Sequence, residues 1–253
     1  MELPLFIYIN PKYEHCFFDC TAQVKSGAFA VVSIVDDNTV IKATSCIPSA
    51  NFLTSLLAIK SVLPARWQRP IAGLPLVFEA LGAIAEDADG QRYFGFRMER
   101  LFETSEPVGQ RDAAYAQKQP VLEKLSAAYS AYCRIKNNHH NFEFTDTEAS
   151  IEVAHRLAND STNPLGEGFA FIAAFLARQS PTKAVMDLMR PENLMFSREG
   201  ELILADPVAG VYDELGLNVP SPDGTTYKRP TGTSGLRCST KAMAVTLQNC
   251  TAP

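Results

Sequence analysis

The sequence predicts an α+β protein of two lobes: strand-rich over residues 1–101, helical and small over 102–219, with a polar tail over 220–253. Two β-patterned stretches, 22–44 and 74–102, bracket one helix-patterned segment, and beyond residues 98–101 the pattern turns helical. Late in the second lobe, "VMDLMRPENLMFSREGELILADPVAG" describes a short hairpin with an aspartate on each flank.

Each element has a local reason. A β-rich run from Phe29 to Val35 stops at Asp36-Asp37-Asn38, all turn formers, and Thr39 to Ala43 begins a return strand. In "SANFLTSLLAIKSVL" the apolar residues fall at helical spacing, with Ser49 as the expected N-cap and Pro64 closing the segment. Residues 74–102 read as two strands around a turn at 86–91. Over 111–135, Leu122, Leu125, Tyr129 and Tyr132 share a helix face, and Pro120 is expected to start or break that helix. Two more helices follow, "DTEASIEVAHRLAND" and "GEGFAFIAAFLARQS"; in the second, Phe169, Ile172, Ala173, Phe175 and Leu176 mark a buried stripe. Leu194 to Phe196 and Leu202 to Leu204 form the hairpin strands, and Pro, Gly, Ser and Thr dominate from Pro220 onward.

The bulk properties exclude several classes. A chain of 253 residues with 46% hydrophobic and 20% charged residues is that of a soluble globular protein. A net charge of −5 argues against nucleic acid or an anionic membrane as the main partner. No apolar run reaches the roughly 18 residues of a membrane helix, and "MELPLFIYINPKYE" has neither a basic start nor a small-residue cleavage site, so no signal peptide is expected. The six cysteines form no CxxC pair, and Cys16–Cys20 has no second pair to complete a zinc site. Scattered thiols in such a chain predict a reducing cytoplasm. His139-His140 sits in a polar stretch that reads as a solvated loop.

The hairpin carries the chemistry. "DLMRPENLMF…GELILADP" resembles the catalytic loop and metal-binding segment of the protein-kinase-like superfamily, and "SGAFAVVSIVDDNTVIKA" resembles its phosphate-covering turn and lysine-bearing strand. The nearest likeness is to the compact early Ser/Thr protein kinases of short-tailed lytic bacteriophages, whose metal segment ends in Asp-Pro-Val. The resemblance spans roughly residues 22 to 210, in order, and implies a two-lobed kinase-like fold. It further implies ATP and Mg²⁺ as cofactors: hard oxygen ligands suit Mg²⁺, and phosphoryl transfer needs charge on the phosphate oxygens neutralised. On this likeness Asp187 takes the proton of the acceptor hydroxyl, and Arg190 places a cation near the transferred phosphate. Asn193 and Asp206 hold the metal. Ser26 and Gly27 form the phosphate turn and Lys42 binds the α- and β-phosphates. Met98-Glu99-Arg100-Leu101 is the connector, where Glu99 and Leu101 meet the adenine through backbone groups.

The likeness has four departures. Val185-Met186 stand where kinases have His-Arg or His-Gly, and Asp187 precedes Asn193 by six positions instead of five. No acidic residue lies between Asp37 and Glu79, so the helix offers Lys42 no glutamate and Glu79 is the nearest substitute. The phosphate turn has one glycine, and Pro207 follows Asp206. The implied function is a protein Ser/Thr kinase in a host cytoplasm, acting on host proteins and on itself, with self-association into a homo-oligomer left open. The alternatives are a small-molecule kinase and a catalytically inactive kinase-like module that inhibits a partner by contact.

Overall fold

The computed structural model describes residues 6–18, 24–26, 30–63, 68–104, 111–135, 147–179, 184–187, 191–210, 219–220 and 226–227. Within them the protein is a mixed helix-and-strand fold. It opens with β1 (Phe6–Ile9), α1 (Glu14–Phe18), β2 (Val24–Ser26), β3 (Ala30–Ile34) and β4 (Thr39–Thr44). After α2 (Ile47–Lys60) come β5 (Val77–Asp87) and β6 (Arg92–Glu99). All six strands form one antiparallel sheet in the order β1-β5-β6-β4-β3-β2. The strand–helix–strand order expected before residue 100 is present. β1 and α1 are additions to that expectation: β1 lengthens the sheet beyond β5, and the Tyr13, Cys16 and Phe17 segment covers the face of Ile41, Ala43, Ile84 and Tyr93.

The helical part comprises α3 (Arg111–Ile135), α4 (Thr147–Asn159) and α5 (Gly166–Arg178). α3 runs unbroken through Pro120, which therefore neither starts nor breaks it. An interior proline costs about 3 kcal/mol or more; burial of Val121, Leu125, Tyr129 and Tyr132 on the packed face offsets it. Leu122, expected on that face, is only half-buried. All five expected stripe residues of α5 are buried, and Phe175 meets Phe52 of α2 edge-on at 5.1 Å. α2 is thereby wedged between sheet and helices, and one core joins Val40, Phe52 and Phe96 to Phe169, Met186 and Leu204.

Ser49 is not the N-cap of α2. The helix begins at Ile47 with Pro48 in its first turn, a favoured place for proline because no intrahelical donor is lost there. Ser49 therefore lies within the first turn. No helix among the described residues is long and apolar enough to cross a membrane.

Two clips hold the helical part together, and each yields a test. Lys124 of α3 pairs with Asp160 at 2.7 Å, and Asp160 also accepts from Thr162 N–H and Oγ1 at 2.9 and 2.6 Å. The Lys124 bond, followed by the Thr162 bonds, holds the Asp160 carboxyl down from 3.8 to about 2. A carboxyl depressed on folding stabilises the fold above its ordinary value, and that stabilisation is lost as pH falls towards about 2. Asp160→Asn should therefore flatten the loss of melting temperature between about pH 4 and 2. The second clip is at Gly73, whose φ is +78° and whose carbonyl accepts Leu204 N–H at 2.8 Å. A Cβ there would lie 2.7 Å from Leu165 Cδ2. Gly73→Ala combines a strained backbone with a clash and should cost about 1–3 kcal/mol in urea unfolding.

Candidate active site

Three short pairings assemble the site. β7 (Ala184–Met186) runs antiparallel to β10 (Val208–Gly210) with Met186 opposite Val208. Asp187 follows β7 directly, and its N–H donates to Pro207 O at 2.9 Å, so the two aspartates flank one two-stranded ribbon. Val185 and Met186, which stand where the kinase likeness has His-Arg or His-Gly, are buried strand residues. Met186 N–H is further fixed by Ser150 Oγ of α4, at 3.1 Å.

Asn193 closes a 3-10 turn, Pro191–Asn193, ahead of β8 (Leu194–Phe196), which pairs with β9 (Leu202–Leu204) as expected. Its Nδ2 donates to Asp187 O, and its own carbonyl accepts Ala205 N–H at 2.8 Å. The six-residue spacing is thus spanned by a direct bond between asparagine side chain and aspartate backbone. Asn193 Oδ1 has no hydrogen bond among the described residues.

Lys42 lies on β4 opposite Phe96 of β6, and its side chain is 7% exposed. Its Nζ is 2.7 Å from Asp206 Oδ1. Ser49 Oγ donates to the same oxygen over 3.2 Å. Asp206 is half-buried, its side chain 38% exposed. The lysine's partner is therefore Asp206, not Glu79, which is exposed and paired in register with Arg97. Burial is the main reason the neighbouring Cys46 thiol is raised above its ordinary range, opposed by the N–H groups of Ser49 and Gly210. It stays protonated at neutral pH and is a poor nucleophile.

Glu99 N–H donates to Leu76 O at 3.0 Å, which leaves its backbone carbonyl as the group the connector could offer. Its buried carboxylate accepts Arg69 Nη1 at 2.6 Å, Nη2 at 3.2 Å and Leu76 N–H at 2.7 Å. Arg69 continues through Nε to Glu201 Oε2 in the β8–β9 turn, at 3.1 Å. Burial opposes the charge on Arg69, but Glu99 and Glu201 outweigh it and hold its pKa above the ordinary value. Leu101 follows β6 between Arg100, whose N–H goes to Asn38 O, and Phe102, which bridges to Phe196. Its own N–H makes no backbone bond among the described residues. Ser26 ends β2, opposite Val31. Gly27, Arg190, His139-His140 and most of the 220–253 tail lie outside the described residues.

Lys42, Ser49 and Asp206 thus meet through their side chains, and Asp187 and Asn193 are tied to the Asp206 segment through backbone bonds to Pro207 and Ala205. The donor set suits a hard cation. Asp206 Oδ2 and Asn193 Oδ1 are oxygens without partners among the described residues, and Mg²⁺ takes one or two protein ligands plus phosphates. No cluster of three or more His, Cys, Asp or Glu fit to hold a metal occurs among the described residues. Two cavities of about 470 and 460 Å³ lie elsewhere, one at Lys60, Phe78 and Arg97, the other at Arg69, Leu165 and Glu201. The first lies between the end of α2 and the sheet, the second between the Arg69–Gly73 segment and the Pro164–Leu165 turn, and neither is lined by Lys42 or Asp206.

No protein-family model matches the sequence, and no curated protein matches it. Among solved structures the chain is similar to one described as "Co-crystal structure of WbdD and kinase inhibitor LY294002", at 11% identity and a TM-score of 0.24. That match covers 75% of this chain and 33% of the other, so the chain spans about a third of the length of that protein.

Proposed function

We propose that the protein is an ATP- and Mg²⁺-dependent phosphotransferase whose acceptor is a serine or threonine hydroxyl of a host protein, in a cytoplasm. One observation carries the reading: Lys42 Nζ and Asp206 Oδ1, 164 positions apart in sequence, meet at 2.7 Å. Phosphoryl transfer needs a cation on the phosphates beside a carboxylate on the bridging metal, and this pair supplies both. A kinase-like lobe is supported by the succession β2, β3, β4, α2, β5, β6 with the lysine on β4.

The roles follow from the donors. Lys42 would hold the α- and β-phosphates and Leu101 N–H the base edge. Asp206 Oδ2 and Asn193 Oδ1 would hold Mg²⁺, which supplies charge neutralisation on the β- and γ-phosphate oxygens. Asp187 would accept the hydroxyl proton as the acceptor oxygen bonds to the γ-phosphorus and the bond to the β-phosphate oxygen breaks, releasing ADP. A second reading, a kinase-shaped binding module without catalysis, is favoured by one feature: Lys42 and Ser49 satisfy Asp206 Oδ1 from within the protein.

Incubation of the full chain with γ-labelled ATP and Mg²⁺, with and without bacterial lysate, separates the two. Label on the protein or a lysate band, lost in Asp187→Ala, is the expected outcome. Absence of label together with absence of nucleotide binding would leave only the binding module.

A further inference from the structure

No acidic residue lies between Asp37 and Glu79, so the first turn of α2 has no carboxylate to offer Lys42. It presents Ser49 instead, 4% exposed. A hydroxyl inside a helix ordinarily bonds back to a carbonyl four residues earlier. Thr54 and Ser55, further along α2, do so, to Ala50 O and Asn51 O at 2.9 Å each. Ser49 instead reaches across 157 positions of sequence to Asp206 Oδ1.

That oxygen now has two donors, Ser49 Oγ and Lys42 Nζ, both from the sheet-and-α2 part of the protein. A half-exposed carboxylate with no fixed donor can rotate, because its terminal torsion is broad. Ser49 Oγ stays on Oδ1 when Lys42 turns to a nucleotide's phosphates, and so leaves Oδ2 facing a constant direction. Pro48 of the same turn packs against β10, with 3.8 Å separating its ring from a Cβ built on Gly210, which keeps Ser49 in register with Asp206.

Resting on the phosphotransferase reading, we infer that Ser49 is a positioning residue: it locks Asp206 so that Oδ2 serves as the divalent-cation ligand, and couples α2 to the metal site without an acidic side chain. Partners that orient a metal ligand typically contribute about 10–100-fold to metal affinity.

The test is calorimetric titration of Mn²⁺ into the full chain saturated with a non-hydrolysable ATP analogue, alongside binding of the analogue without metal. Ser49→Ala should weaken Mn²⁺ binding about tenfold or more while metal-free nucleotide binding is unchanged. Ser49→Cys keeps the volume with only a weak donor and should lose affinity in the same way. Ser49→Thr keeps the hydroxyl and should stay near wild type. Wild-type Mn²⁺ affinity in the alanine and cysteine variants would overturn the role of Ser49 alone. A wild-type protein that binds neither nucleotide nor Mn²⁺ would overturn the phosphotransferase reading and this inference with it.

Discussion

Lys42→Met is expected to lower phosphate transfer by about two to three orders of magnitude, the usual loss when one preorganised charge facing the reacting group is removed. The fold should hardly notice. Methionine matches the buried lysine stem, and Asp206, with 38% of its side chain exposed, is left hydrated. Replacing a buried ion by a similar apolar volume is often neutral. Asp206→Ala should behave differently, because Lys42 stays at 7% exposure with its carboxylate gone. Stranding a fully buried charge costs about 3–5 kcal/mol; the half-exposed partner here brings the expectation to about 2–3 kcal/mol. Label incorporation and urea midpoints for the two variants check this asymmetry: both inactive, only one destabilised.

Glu99→Ala should be strongly destabilising, at about 2–4 kcal/mol. It takes the buried partner from the Arg69 guanidinium, whose side chain is 13% exposed, leaving it only Glu201 and Leu74 O, and leaves Leu76 N–H without its acceptor. Arg69→Met should cost less, since Glu99 keeps the Leu76 N–H bond. The double variant should cost less than the sum of the singles, as expected for residues sharing one network. Because Arg69 also reaches Glu201, both single variants should loosen the β8–β9 hairpin against β6. Faster amide exchange at Leu76 and along β8–β9 would register that loosening.

Much of this architecture was legible locally. The β3–β4 hairpin followed from the turn formers Asp36-Asp37-Asn38; Asp36 caps its own turn, accepting from Asn38 N–H and Thr39 N–H at 2.7 and 2.8 Å. The α5 stripe followed from apolar periodicity alone. Escaping notice were elements too short to carry a period: β1, α1, and the three-residue strands β7 and β10, which exist only as each other's partners. A serine before an apolar run looks like a cap, whereas the partner of Ser49 lies 157 positions away. The connector position of Glu99 speaks only for its backbone; that its carboxylate binds Arg69, thirty positions earlier, has no local signal. The missing acid between Asp37 and Glu79 was the one sequence signal that Lys42 had to find its carboxylate elsewhere.

The most direct measurement is a crystal structure of the full chain with Mn²⁺ and a non-hydrolysable ATP analogue, with the metal located by anomalous scattering. One peak is expected about 2.1–2.2 Å from Asp206 Oδ2 and Asn193 Oδ1, close to the Mg²⁺ distance, with Lys42 turned to the analogue's phosphates. A peak elsewhere, or none while Lys42 and Ser49 remain on Asp206 Oδ1, would contradict that metal site.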